Sequence, residues 1–152
     1  MKKTLIIGVG SILRGDDGIG MRVIDELKKE KFPPDVELHG ADISGMDLLK
    51  YLPEGGRAII IDAADMNLEP GDIRVFGPGD IKKADLSDSV STHGMALLET
   101  LTLAEKLGID CGITVIGVQP ENTGYDLDLS ETVKSRISDI LDIVKEQLFS
   151  AF

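Results

Sequence analysis

The sequence predicts a three-layer α/β/α fold built on a five-stranded, mostly parallel sheet with one antiparallel strand. Three observations carry that expectation. Continuous apolar runs such as Leu5-Ile6-Ile7, Ala58-Ile59-Ile60-Ile61 and Val115-Ile116 read as strands covered on both faces. Segments of helical period lie between them. The elements follow one another as β-α-β-α-β-β-α-β-α without a repeat or linker, the alternation typical of α/β domains. At 152 residues the chain suits one domain spanning residues 1–152.

Taken in order, Thr4-Leu5-Ile6-Ile7 stops at Gly8-Val9-Gly10. From Gly18 the period changes, and Ile19, Val23, Ile24 and Leu27 fall on one helical face that ends in Lys28 to Lys31. Phe32-Pro33-Pro34 breaks the chain. Val36-Glu37-Leu38-His39 alternates as an edge strand does. Ser44-Gly45 opens a short helix with Met46, Leu48, Leu49 and Leu52. Arg57 to Asp62 is the strongest strand. Pro70-Gly71 makes a tight turn into Ile73, Val75 and Phe76, a strand close enough in sequence to be an antiparallel neighbour. Gly77 to Ser91 is polar and aperiodic, a loop long enough to suggest function. Gly94 to Leu107 is helical, with Leu97, Leu101 and Ala104 inward and Gly108 as its stop. Ile113 to Val118 is a buried strand. One last helix starts near Ser130-Glu131 with Val133, Ile137, Ile140, Leu141, Val144 and Leu148 as its stripe.

Charge and composition narrow the function. Asp and Glu number 27 against 16 Lys and Arg, a formal net charge of -11. That sign disfavours nucleic acid and anionic membrane, and suits a divalent cation or a basic peptide. Cys111 is the only cysteine, so neither a disulfide framework nor a thiolate zinc site is available; it reads as a small core residue. The apolar run after Met1-Lys2-Lys3 is too short for a signal peptide or a membrane span, which gives a cytoplasmic expectation.

Open α/β sheets place their chemistry beyond the carboxyl ends of the strands, here Gly8 to Gly20, the neighbourhood of Asp62, and Val118 to Tyr125. The first of these, Gly8-Val9-Gly10-Ser11-Ile12-Leu13-Arg14-Gly15-Asp16-Asp17-Gly18, lacks the third glycine of a dinucleotide loop, and two aspartates would face any phosphate. N-capping explains one of Asp16 and Asp17 but not both. Glycines on both sides of the pair let backbone and ligand come close. Asp62 ends the strongest strand, partly desolvated and aimed at the crevice; turn capping is its bland alternative. His93 follows Ser91-Thr92 in the first turn of a helix, where the macrodipole keeps imidazole neutral. That is the state needed for metal ligation or proton abstraction, although a histidine at a helix start is often structural. His39 reads as structural. Asp17, Asp62 and His93 together offer two oxygens and one nitrogen from three segments, a set suited to a borderline divalent metal with open positions.

The run GVGSILRGDDGIG, the strand IIIDAADM, NLEPGDIRVF, STHGMALL and VIGVQPENTG resemble, in order over nearly the whole chain, the maturation endopeptidases of [NiFe] hydrogenases, most closely the formate-hydrogenlyase-type branch. The resemblance implies a twisted five-stranded sheet between helices. It also implies an enzyme that removes a C-terminal extension from the hydrogenase large-subunit precursor once nickel is in place. The family's metal-binding positions carry over onto Asp17, Asp62 and His93. Ser11 stands where relatives commonly have Asn, which implies altered loop detail. Asp17 stands where some have Glu, shorter by one methylene or about 1–1.5 Å of reach, which would draw the metal toward the strand end.

The expected catalytic set is therefore Asp16, Asp17 and Asp62, with Gly8, Gly10 and Ser11 as the substrate loop and Asp16, not assigned to the metal, as general base. Nickel comes with the substrate, and no tightly held cofactor is expected. The Gly77 to Ser91 loop is expected to be mobile when free and ordered on the precursor. A non-catalytic nickel-state sensor or chaperone for the same precursor is the alternative. Peptidyl-tRNA hydrolase chemistry lacks its histidine, asparagine and basic face, and a small-molecule site is disfavoured by the paired aspartates.

Overall fold

The computed structural model describes residues 2–40, 45–77 and 92–150. Five strands form one sheet: β1 (Thr4–Gly8), β2 (Val36–Gly40), β3 (Gly56–Ala63), β4 (Ile73–Phe76) and β5 (Cys111–Val118). Their spatial order is β2-β1-β3-β5-β4, with β4 alone antiparallel to its neighbour. The helices are α1 (Ile19–Leu27), α2 (Thr92–Lys106), α3 (Glu131–Lys134) and α4 (Ile137–Phe149), with 3-10 segments at Gly15–Gly18 and Gly45–Tyr51. The predicted fold class stands.

The period of two along each strand divides the core. Ile6, Ile59, Ile61, Ile116 and Val118 pack with Ile19, Val23, Ile24 and Leu27 of α1 and Ile140, Val144 and Leu148 of α4. The alternate residues Leu5, Ile7, Ala58, Ile60 and Val115 pack with Leu48 and Leu52, and with Leu101 and Ala104 of α2. Because both faces are covered, the central strands carry no polar alternation, which is why they read as unbroken apolar runs. Among the described residues no helix is long and apolar enough to cross a membrane.

Three details depart from expectation. The antiparallel strand β4 pairs with β5, which lies between it and β3. Both edges of β3 are taken by β1 and β5, and the turn before β4 is drawn to the end of β5 by Gly71 N–H donating to Gln119 O and Gln119 N–H to Asp72 O, each at 2.8 Å. The short helix after Ser44 is a 3-10 helix. The final helix is two pieces, because the chain turns at Ser135 and Arg136, where the Arg136 amide reaches back to Val133 O at 2.9 Å and its Nε donates to Gly71 O at 3.1 Å. The long loop expected to be mobile lies, beyond Gly77, outside the described residues.

Helix α1 rides directly on the carboxyl edge of the sheet because Gly8 and Gly20 carry no side chains. A methyl on Gly8 would sit 2.2 Å from Gly20 O, and one on Gly20 would sit 2.4 Å from Ile61 O. Alanine is the better helix former by about 1 kcal/mol, yet Gly20→Ala must push the helix off backbone. We expect it to lower unfolding stability by about 1–3 kcal/mol, the usual cost of overpacking, measured as a shift in the denaturant midpoint.

Candidate active site

The loop after β1 closes on itself around a carboxylate. Gly10 has φ +126°, a left-handed value, and Asp17 O occupies the place of its missing side chain at 2.0 Å from an ideal Cβ. The turn thus folded aims the Ser11 amide at Asp17 Oδ2, 2.9 Å away, and Ser11 Oγ accepts from the Leu13 amide at 3.3 Å. Gly8 and Gly10, expected in the substrate loop, leave the room of their missing side chains to the backbone of Gly20 and Asp17. Neither aspartate caps α1, whose N-cap position is Gly18 with no side-chain cap.

Asp62 is the penultimate residue of β3, opposite Gly117 of β5. Since Ile61 and Ala63 face α1 and α4, the alternation turns Asp62 to the other face, the one covered by α2. It is fully buried, and among the described residues neither carboxylate oxygen has a hydrogen-bond partner. Burial raises its pKa well above the ordinary value, the nearby Asp17 charge raises it further, and the Ala63 backbone amide opposes them as the smallest of the three effects. Two buried carboxylates close enough to repel, one of them poorly supplied with donors among the described residues, form a site suited to a proton or a cation. A divalent ion would replace the missing donors and offset the repulsion.

His93 stands in the first turn of α2. The parallel crossover from β3 to β5 brings α2 back across the sheet, so its start lies toward the carboxyl edge that also holds Asp62. The His93 side chain lies outside the described residues, and among those that are described no three His, Cys, Asp or Glu groups form a metal-holding cluster.

Asp16 is the residue whose surroundings the sequence does not disclose. Its carboxylate is wholly buried. Oδ2 accepts from the Glu121 and Asn122 amides, each at 2.9 Å, and from Ser130 Oγ at 2.8 Å. Oδ1 accepts from the Ser130 amide at 2.7 Å. A carboxylate has about four acceptor positions, so the proposed general base is already filled by the protein's own donors. Ser130, legible in the sequence only as a helix start, also caps α3 through Val133 N–H. Gln119 was likewise missed: its Oε1 accepts from Met66 N at 2.7 Å and its Nε2 donates to Asp65 Oδ1 at 3.1 Å, fastening the chain that leaves Asp62.

The turn before Asp16 and the segment after β5 expose apolar side chains. Ile12 and Leu13 are more than half exposed, as are Leu127 and Tyr125, the last at 92%. Leu13, Tyr125, Asp126 and Leu127 line an open depression of about 300 Å³. The Arg14 guanidinium lies 5.9 Å from the Tyr125 ring centre. Cys111 sits elsewhere, at the start of β5, and burial followed by the Asp110 charge pushes its thiol from 9.0 up to about 11; it is a packing residue, not a nucleophile.

Known proteins resemble this chain in sequence and fold. The profile of the HycI family, described as hydrogenase maturation protease, matches residues 21–147. The hydrogenase 2 maturation protease of Escherichia coli K12 is 29% identical over 145 residues, covering 93% of this chain and 88% of that one. The hydrogenase-maturating endopeptidase HybD of E. coli superposes with a TM-score of 0.81 at 26% identity, over 96% of this chain and 91% of that one. The solution structure of an endopeptidase from E. coli gives 0.86 at 27% identity with the same coverage.

The buried Asp62 carboxylate makes a prediction about stability. Its folded-state pKa lies above its unfolded value, so the folded state holds the proton more tightly and stability falls as pH rises above the ordinary 3.8. Asp62→Asn removes this component. We expect the metal-free variant to be more stable than wild type at pH 7 by about 1–3 kcal/mol, and the gap to narrow toward pH 4. Denaturant titrations of both proteins at several pH values measure it.

Proposed function

The chain belongs to the hydrogenase maturation protease family, and from that premise we propose that it is the endopeptidase removing a C-terminal extension from the nickel-loaded large-subunit precursor of a [NiFe] hydrogenase. The observation that carries the reading is Asp62, a fully buried carboxylate whose oxygens meet no donor at hydrogen-bonding geometry among the described residues, beside the charge of Asp17. A group so placed is costly unless a cation meets it. In this reading the cation is nickel already held by the precursor, and Asp17, Asp62 and His93 take its open positions.

Such docking gates cleavage by metal insertion, because a precursor without nickel offers those side chains nothing to hold. The metal supplies Lewis acidity toward the peptide carbonyl or an attacking water. The chain's own residues supply placement. The Ser11 amide fixes Asp17, the end of β3 fixes Asp62, and the first turn of α2 carries His93. The exposed apolar side chains of Ile12, Leu13, Tyr125 and Leu127 give an extended polypeptide a surface to lie on, since exposed apolar patches mark binding sites. No resident cofactor enters the scheme, and cytoplasmic action is part of the same proposal.

The test is the intact mass of the large-subunit precursor from the same organism after incubation with this protein, with and without nickel. Loss of a C-terminal peptide only from the nickel-loaded sample is expected, and Asp62→Ala or His93→Ala should abolish it in a folded protein. Nickel-dependent binding with unchanged mass would replace the peptidase reading by the sensor or chaperone reading. Full activity in either variant would remove the docking model.

A further inference from the structure

Resting on the peptidase reading above, we propose that Asp16 is a positioning residue: it clamps the Glu121–Ser130 segment onto the 3-10 turn and thereby fixes the Asp17 carboxylate beside Asp62. Three features lead there. First, Asp16 cannot serve as a base where it stands. A general base needs a lone pair within about 2.6–3.2 Å of the proton it removes, and the wholly buried Asp16 meets only protein donors, with Glu121 N, Asn122 N and Ser130 Oγ on Oδ2 and Ser130 N on Oδ1 at 2.7–2.9 Å. Secondly, those donors all belong to the segment that follows β5, far in sequence from the turn they hold. Backbone bonds reinforce the same junction: Asp16 N–H donates to Asn122 O and Gly15 N–H to Asp126 O, each at 2.8 Å, and Asp126 N–H donates to Leu13 O at 3.1 Å.

Thirdly, the junction has no slack. Gly15 adopts φ +56°, and a methyl there would lie 2.6 Å from Asn122 O, so the turn is pressed against the segment it binds. Asp17 is the next residue in that turn, and its carboxylate reaches back to Ser11. Releasing Asp16 frees the turn to rotate, and Asp17 goes with it. A displacement near 1 Å at a reacting centre costs about a hundredfold in rate. The same clamp seats Tyr125 and Leu127 next to Leu13.

Steady-state cleavage of the nickel-loaded precursor by wild type, Asp16→Asn, Asp16→Ala and Ser130→Ala tests this, paired with amide hydrogen exchange of Ser11 in the free protein. Asparagine keeps one oxygen for the three donors at Oδ2 and sets an NH2 against Ser130 N–H, so its kcat should fall about tenfold, one strong hydrogen bond's worth. Alanine loses all four bonds, and its kcat should fall about a hundredfold or more. KM should move by less than about twofold in both, the split expected when placement of the reacting groups is lost rather than uniform binding. Ser11 exchange should quicken most in the alanine variant.

A general base predicts otherwise: asparagine as inactive as alanine, with Ser11 exchange unchanged. Unchanged kcat per folded molecule in both variants would reduce Asp16 to a stability residue. Either result overturns the proposal. If Asp16→Ala does not fold, Ser130→Ala, which loses a single donor, must still slow kcat severalfold and quicken Ser11 exchange. If wild type itself leaves the precursor uncut, the peptidase reading fails, and the exchange data alone decide whether the clamp holds Asp17.

Discussion

Everything at this site depends on keeping two negative carboxylates close together at a buried strand end. Asp62 enters the core because it continues Ala58-Ile59-Ile60-Ile61 without a break, and Asp17 is brought to it by a loop folded over Gly10. Neither position is favourable in itself. Burial and the mutual charge both drive Asp62 toward protonation. The sheet must therefore be stiff enough to hold what its own electrostatics would push apart. That stiffness comes from packing: three central parallel strands, β1, β3 and β5, with apolar side chains on both faces, and a helix laid directly on backbone where Gly8 and Gly20 remove the side chains that would separate them.

The sequence discloses most of this architecture, for a physical reason. A strand buried on both faces has only one kind of side chain available to it, so Ile59, Ile60 and Ile61 announce their place without help from the rest of the chain. The same holds for the stripe of Ile140, Val144 and Leu148 on α4. Pairing partners are different. Nothing local tells Ile73–Phe76 whether it lies beside β3 or β5; that depends on the order of strands and on the Gln119 to Asp72 bond at the far end of β5. The interruption of the last helix at Arg136 is equally non-local, since Gly71 O holds its side chain.

The candidate site divides in the same way. Asp62 is legible because the end of an apolar strand is a place where a carboxylate is conspicuous. Asp16 is not, because adjacent aspartates look alike in a sequence while facing opposite tasks in the fold. Asp17 turns toward Ser11 six residues back. Asp16 turns toward Ser130, 114 residues on. Which of them is filled by protein donors is decided by the chain after β5, whose Glu121, Asn122 and Ser130 act through backbone amides and one hydroxyl. Amides are present at nearly every residue, so no spacing or composition rule marks these as the partners.

The contrast between the neighbouring aspartates also bears on how a metal-gated peptidase can release its substrate. A resident metal would call for strong, saturated ligation, whereas nickel that arrives and leaves with the precursor must be met by groups that survive its departure. A buried carboxylate can do so by taking up a proton, and the raised pKa of Asp62 favours that exchange. In the proposed scheme a proton and the substrate's metal are alternative partners for one buried carboxylate. Asp16 gains nothing from such an exchange. With four donors converging on its oxygens, it is held in place by the protein itself, which is what a fixed anchor beside a changeable charge requires.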